Sequence, residues 1–431
     1  MFGLVRGKLI GEPPLYVDKT LKPGFTEMPK PTVLTWLNNA PYVLITSPNF
    51  VWACISLSVY YFVPYDLSPS SVAALSPISF EFLALRLPIW LPLVLGYFGF
   101  WHTALYLFNL GSRPFIENRT YSWDKLAHNT FWTTSGIVIW TVYENILCYL
   151  WATGRLSYIT DTTSYSTIQG GLAFLAALMA IPVWRSVHFY FAHRLLHYTP
   201  LYQQVHSLHH RNTDIEPFSG LCMHPVEHLY YYACILPSLI FNVSPFAFLW
   251  NGVHLLLSPA ASHSGYEDHF QSDMFNYLHH RYFECNYAGS DAAFMDIFFG
   301  TFKGSFAENP SDRDGPKPRE DAKSSLRLIP TREFVLYLAS SAACVTAWAI
   351  PATHSYVLTH TQSLQIASLV GFGPVVLATV FSSAFSKSSG TKPTQMSVWA
   401  NLLHLLVGSI FCSVPVTYMC YLALIPKIEY V

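Results

Sequence analysis

Charge is what this sequence has least of. Asp, Glu, Lys and Arg make up 11% of its 431 residues, where a usual globular chain carries about 25%. The formal net charge is −1, so nothing suggests an electrostatic partner such as nucleic acid, and none is expected. Eight cysteines are scattered with no C-x-x-C and no paired spacing. That is the pattern of small apolar fillers in a reducing or membrane setting, not of a disulfide framework. The first forty residues lack the apolar run of a secretory signal, so an internal hydrophobic helix is expected to direct insertion. No repeat of fixed period occurs, and neither a haem-binding His-Pro-Gly-Gly nor a flavin-type G-x-G-x-x-G is present.

Apolar residues fill the gap, at 52% of the chain with 16% aromatic. About twenty consecutive apolar residues cross a bilayer core as a helix. Candidate spans lie near 43–63, 88–108, 131–152 and 170–190, and again near 334–350, 364–385 and 398–425. Between 229 and 262 two apolar runs meet at Asn242-Val-Ser-Pro245, forming either a hairpin that dips into the membrane and returns or two full spans. The expected fold is an all-α integral membrane protein, a multi-span helical bundle.

Lysine and arginine test this topology, because cytoplasmic loops are enriched in them. With the N-terminal tail in the cytoplasm, cytoplasmic segments hold Arg6, Lys8, Lys19, Lys22 and Lys30, then Arg113, Arg119 and Lys125. They also hold seven basic residues at 303–333, then Lys387 and Lys392. The opposite side receives Arg86, Arg155 and Lys427. The chain divides into a polar tail (1–40), an N-terminal transmembrane region (41–169), a catalytic region (170–302), a charged linker (303–333) and an appended C-terminal three-helix membrane unit (334–431).

Most of the eighteen histidines fall between His193 and His280. They form His193-Arg-Leu-Leu-His197, His206-Ser-Leu-His209-His210, His224-Pro-Val-Glu-His228, His263-Ser-Gly-Tyr and His279-His280. Neutral imidazole binds iron, copper or zinc well, and helical positions i and i+3 or i+4 share a face. Each piece is therefore expected to aim two or three nitrogens at one point, and several converging pieces would hold more than one metal ion. Three histidines in the five residues 206–210 have no packing rationale in so apolar a chain. His224 is a candidate ligand, although Pro225 restricts helix there, and His228 reads as an outer contact. His102, His254 and His404 lie alone in apolar spans and read as groups hydrogen-bonded inside the bundle. His188 lies off the His193 face. The topology places every histidine piece on the cytoplasmic side, provided the 229–262 pair returns to the side it left.

These pieces, with His279-His-Arg-Tyr-Phe-Glu-Cys-Asn-Tyr-Ala and Asp296-Ile-Phe-Phe-Gly-Thr, resemble the fatty acid hydroxylase / sterol desaturase superfamily over roughly 170–302. The resemblance implies an endoplasmic-reticulum membrane enzyme whose histidines hold two irons facing the cytosol. It assigns the ligand role to His193, His197, His206, His209, His210, His263, His279 and His280. The family closes with H-x-x-H-H, whereas Asn276 stands first here, so the metal set includes one position with an amide in place of an imidazole. Met295 stands where tryptophan is common.

The activity implied is O2-dependent hydroxylation or desaturation of a sterol or other lipid taken from the bilayer. With no haem or flavin motif in the chain, electrons must come from elsewhere, and the family implies cytochrome b5 and its NADH-dependent reductase. Glu216, Glu227, Glu267, Asp268, Asp291 and Asp296 are the carboxylates placed to orient imidazole N–H groups. Two alternatives compete: a catalytically silent lipid-binding relative, motivated by Asn276, and a metal-ion transporter. Transporters place polar ligands near the bilayer midplane, whereas these pieces lie at helix ends.

Overall fold

The computed structural model describes residues 48–111, 114–115, 122–159, 167–266, 272–289, 293–303 and 398–424. Among them every named element is a helix, and the β-bridge between Pro114 and Tyr266 is isolated. The fold is an all-α, multi-span membrane bundle. Its helices are α1 (Pro48–Phe62), α2 (Phe80–His102, continued by a π-turn over Thr103–Leu107), α3 (Trp123–Ala152) and α4 (Ile168–Leu196). Three short helices follow, α5 (Thr199–Gln204), α6 (Pro225–Tyr232) and α7 (Leu236–Ile240). The set closes with α8 (Pro245–Ser262), α9 (Ser272–Tyr282), α10 (Ala293–Phe298) and α11 (Val398–Leu424). The tail, the linker, the expected spans near 334–350 and 364–385, and the carboxylates Glu267, Asp268 and Asp291 lie outside the described residues.

Among the described residues, three helices are long and apolar enough to cross a membrane: Phe80–Leu107, Ile168–Leu196 and Leu403–Ala423. Their starts are set by local chemistry. Ser79 accepts from Phe82 N at 3.0 Å, and Thr167 accepts from Gly170 N at 3.0 Å, so each hydroxyl satisfies an orphan amide of a first turn. Helix α3 runs thirty residues, about 45 Å at the helical rise, and begins with the polar Asp124 and Lys125.

Helix α2 begins eight residues before the expected 88, and this corrects the placement of Arg86 in a far-side loop. Arg86 is buried inside α2, where its Nη2 meets Glu144 Oε1 of α3 at 2.7 Å. Tyr65 Oη donates to the same oxygen at 2.6 Å, and Trp90 Nε1 donates to Oε2 at 2.7 Å. A buried charge is tolerated only when paired and hydrogen-bonded; the four-residue set meets that condition and lets the helix extend through a charged position.

The 229–262 segment is a hairpin. Its incoming arm, broken into α6 and α7 by Pro237, begins just after Cys222, whose carbonyl faces His209. Its outgoing arm is α8, which ends at His263, facing the same histidine. The apex reaches the other end of the bundle, where Ile159 N donates to Val243 O at 3.0 Å and Ser157 Oγ bonds Asn242. The pair therefore returns to the end it left, the condition required for one histidine cluster.

Between the arms and α2–α3 lies a core of fully buried rings including Trp90, Trp140, Tyr232 and Phe248, with Trp140 and Phe248 stacked at 5.3 Å. Helix α3 starts at the histidine end: Asn129 Nδ2 donates to Asn212 Oδ1 at 3.0 Å and to Glu216 Oε1 at 2.9 Å. Helix α11 runs antiparallel to α4 and lies directly against it. A Cβ on Gly408 would stand 2.7 Å from Phe191 O, so only glycine allows this approach.

Candidate metal centre

Four chain segments deliver the histidines. The last turn of α4 presents His193, and His197 caps the helix. A 3-10 turn over His206–Arg211 carries His206, His209 and His210. His263 caps α8, and α9 supplies His279 and His280 in its last turn.

The ligand-capable atoms form two neighbouring groups: His193, His197, His206, His210 and His279 in one, and His209, His263 and His280 in the other. Within each, one nitrogen per ring lies within 4.8 Å of all the others. The expectation that His206-Ser-Leu-His-His210 aims at a single point is corrected here. Adjacent residues on a 3-10 or α-helix point about 100–120° apart. Each His-His dipeptide is therefore split, His210 and His279 going to the group of five and His209 and His280 to the group of three. Two doublets on facing elements set the groups side by side, with the His210 and His280 ring centroids 4.8 Å apart across them.

Tautomers show what the groups are built for. Nδ1 faces a backbone carbonyl in His193 (Tyr287 O, 2.9 Å), His209 (Cys222 O, 3.3 Å), His263 (Pro259 O, 2.9 Å) and His279 (Cys285 O, 2.6 Å). A carbonyl only accepts, so each of these rings carries its proton on Nδ1 and turns a bare lone pair inward on Nε2. His263 Nε2 stands 3.4 Å from His209 Nε2 and 3.1 Å from His280 Nε2. His197 Nε2 lies 3.1 Å from His206 Nε2 and 3.2 Å from His210 Nε2. In His209 and His263, where carbonyls hold both Nδ1 protons, two lone pairs face each other and repel unless a cation lies between them. Nitrogens about 2.1 Å from one ion stand about 3.0–3.4 Å apart at neighbouring positions, so the donor set fits a metal in each group.

Burial keeps the imidazoles uncharged. It pushes His206 and His279 down to about 3 and His209 to about 4. His210, His263 and His280 are also driven well below the usual histidine range, first by burial and then by neighbouring histidines. Glu227 Oε1 lies 2.7 Å from His206 Nδ1. Burial raises this carboxyl to about 8, so the pair on its own carries no net charge; positive charge on Nε2 would favour the ionised carboxylate accepting from Nδ1–H.

The loop after α9 places the two carbonyls that hold His193 and His279. Phe283 and Asn286 adopt φ of 66° and 53°, a left-handed conformation that asparagine tolerates and phenylalanine rarely takes. Asn286 secures the turn by donating to Phe275 O (3.1 Å) and Lys303 O (2.9 Å) and accepting from Lys303 N (2.8 Å). Asp296 accepts from Tyr287 N, Ala288 N and Thr301 Oγ1 at 2.8, 2.9 and 2.6 Å.

Two residues of the expected set stand apart from the eight. His224 is the N-cap of α6, its Nδ1 accepting from Val226 N at 3.2 Å, outside both groups. Pro225 occupies the first helical position, where its missing N–H costs nothing, so it starts the helix that it was expected to restrict. Asn276 lies one turn before His279 and His280 on α9, half-buried, with Nδ2 buried and without a hydrogen-bond partner. His228 stacks on Tyr232 at 5.6 Å. Of the carboxylates, Glu227 contacts a cluster imidazole and Asp296 acts through the 287–288 backbone, while Glu216 holds Asn129. Sequence reasoning missed Glu284, which accepts from Tyr287 Oη at 2.6 Å and lies 3.7 Å from His197 Nδ1. Its place in the Tyr-Phe-Glu-Cys-Asn-Tyr run was the available signal.

Residues 178–301 match the family model described as fatty acid hydroxylase, and all eight clustered histidines fall within them. This segment belongs to the fatty acid hydroxylase / sterol desaturase superfamily. A fatty acid hydroxylase of Mycosarcoma maydis is 26% identical over 208 residues, 46% of this chain and 52% of that protein. A delta(7)-sterol 5(6)-desaturase of Gibberella zeae is 26% identical over 140 residues, 29% of this chain and 41% of that protein. Methylsterol monooxygenase 2-2 of Arabidopsis thaliana is 34% identical over 131 residues, 27% of this chain and 48% of that protein. The chain thus spans about half or less of the length of these curated relatives. No solved structure matches it. The fatty acid hydroxylase segment stops short of α11, which packs on it.

Proposed function

We propose that this chain is a membrane-bound di-iron oxygenase that hydroxylates or desaturates a sterol or other lipid in lipid biosynthesis. The observation that carries the proposal is the convergence of eight imidazoles in two adjoining groups, with the Nδ1 proton of at least four rings held by a carbonyl. His193, His197, His206, His210 and His279 would hold one iron, and His209, His263 and His280 the other. Bound there, iron with O2 supplies the power to remove hydrogen from an unactivated C–H bond.

The chain's own part is positional. Backbone carbonyls of Cys222, Pro259, Cys285 and Tyr287 fix ring orientation, and Glu227 compensates charge on His206. Every clustered ring is buried, the His197 side chain included, which keeps water from the reacting centre. Three membrane-length helices support a substrate drawn from the bilayer. The distribution of basic residues supports a cytosolic face for the cluster, where cytochrome b5 and its NADH-dependent reductase would deliver electrons, and the superfamily supports an endoplasmic-reticulum location.

The test is reconstitution of the purified iron-loaded chain with cytochrome b5, its reductase, NADH and O2, offered sterol and acyl-lipid substrates in turn. A hydroxylated or desaturated product that disappears in His209→Ala is the expected result; product formation unchanged by that substitution overturns the ligand assignment. Asn276 favours one second reading, a silent relative that binds lipid without turnover. That reading predicts no O2 consumption by the native chain and its appearance in Asn276→His.

A further inference from the structure

Helix α11 lies outside the family segment, yet its one imidazole is bonded to the helix that ends in His193 and His197. His404 is fully buried in a helix whose described part carries no Asp, Glu, Lys or Arg. An ionisable group at such a position is costly and is usually kept for a purpose. Its Nε2 lies 3.1 Å from Tyr190 Oη and 3.3 Å from Arg194 Nη1. Arg194 also donates to Tyr190 Oη at 2.6 Å. Guanidinium N–H groups only donate, so His404 Nε2 accepts and its proton sits on Nδ1. His404 thereby anchors a buried cation from outside.

Arg194 in turn lies 5.4 Å from the centroid of the Tyr287 ring, within range of a cation–π contact. Tyr287 is where both ends of the α4 motif are held. Its carbonyl accepts from His193 Nδ1 at 2.9 Å, its ring packs edge-on to His197 at 5.0 Å, and its hydroxyl engages Glu284 beside His197. His404 also presses edge-on against Phe299 at 4.2 Å, just after α10, whose Asp296 fixes the Tyr287 amide.

We infer that His404 is a positioning residue for the histidine cluster: through Arg194 and Tyr190 it holds Tyr287, and through Tyr287 it sets the orientation of His193 and His197. Helix α11 is accordingly a working wall of the centre. This inference rests on the cluster holding metal, as proposed above.

The experiment is anaerobic titration of the full chain in detergent with Fe2+, and in parallel with Co2+ to record its visible ligand-field spectrum. Four variants are compared with the wild type: His404→Phe, His404→Gln, Tyr190→Phe and Leu406→Ala. His404→Phe keeps the ring volume and removes the acceptor. It is expected to weaken metal binding about 10- to 100-fold, the range seen when an outer partner of a ligand is lost, and to shift the Co2+ spectrum. His404→Gln can place its carbonyl oxygen near the Nε2 position and should recover affinity to within a few-fold. Tyr190→Phe, which deletes one hydroxyl, should reproduce part of the loss even if His404→Phe does not fold. Leu406→Ala, on the exposed face of α11, should match wild type.

Unchanged affinity and spectrum in either His404→Phe or Tyr190→Phe, with wild type binding metal, overturns the positioning role alone. A loss not rescued by His404→Gln and accompanied by an unchanged Co2+ spectrum also overturns it, because packing then accounts for the effect. Wild type that binds no metal overturns both this inference and the function on which it rests.

Discussion

His209 and His263 present their Nε2 atoms to each other across 3.4 Å while each has its Nδ1 against a main-chain carbonyl, Cys222 O for one and Pro259 O for the other. Neither nitrogen of the facing pair has a proton to share. His263 ends the outgoing arm of the 229–262 hairpin, and the Cys222 carbonyl that holds His209 leads into the incoming arm, so the contact ties the hairpin's closure to the chemistry of the site. A site assembled in this way should lose metal in steps.

His263→Ala leaves the group of three with two imidazoles and the group of five intact. Metal analysis of the anaerobically purified variant is expected to give one ion per chain where wild type gives two. His280→Ala should do the same. Loss of all metal in both would mean that the groups do not bind independently.

Glu227→Gln keeps a hydrogen-bond acceptor at His206 Nδ1 and removes the compensating charge. Chelator competition is expected to show metal affinity lower by about 10- to 100-fold, with most of the folded chain retained. Affinity equal to wild type would show that Glu227 has no part in orienting or charging His206.

The Arg86–Glu144 pair lies in α2 and α3, away from the histidines. Breaking a buried pair by removing one partner costs about 3–5 kcal/mol. Glu144→Leu should therefore unfold at clearly lower temperature or denaturant concentration, while metal per folded chain stays at the wild-type value. Lowered metal content in the folded fraction would instead tie this network to the site.

Acid should unfold the metal-free chain steeply. His206, His209 and His279 are held at about 3, 4 and 3 in the fold against about 6.5 when unfolded. Between those values the unfolded chain binds more protons, so stability present above pH 6.5 is lost as pH falls, by up to about 1.4 kcal/mol per pH unit for each group. Glu227, raised to about 8, acts in the opposite sense between pH 4.5 and 8, but it is one group against three. Stability of the metal-free chain that stays flat from pH 7 to 5 would contradict the burial assigned to these rings.

What the sequence disclosed and what it hid follow from range. His193 to His197 and His279-His280 are local patterns, and the place of the first at a helix end follows from the apolar run before it. The parity of the 229–262 hairpin was a stated condition, and the contacts of Val243 with Ile159 and of His263 with His209 meet it. Division of the doublets between two groups depends on the packing of the 3-10 turn against α9, which no spacing within either piece contains. Arg86 counted as a loop cation because its partner, Glu144, lies 58 residues away. The acceptors that set the tautomers of His193, His209, His263 and His279 are main-chain carbonyls, to which any residue contributes alike. His404 looked like a solitary span histidine for the same reason, its partners being more than 200 residues distant.

The central claim is that eight histidines from four segments hold two irons side by side. Mössbauer spectroscopy combined with iron quantification on the full chain, purified anaerobically under reducing conditions, tests it most directly. Two high-spin ferrous ions per chain, falling to one in His263→Ala, is the result expected. A wild-type chain that retains no iron, or a single iron that His263→Ala leaves unchanged, would contradict the account.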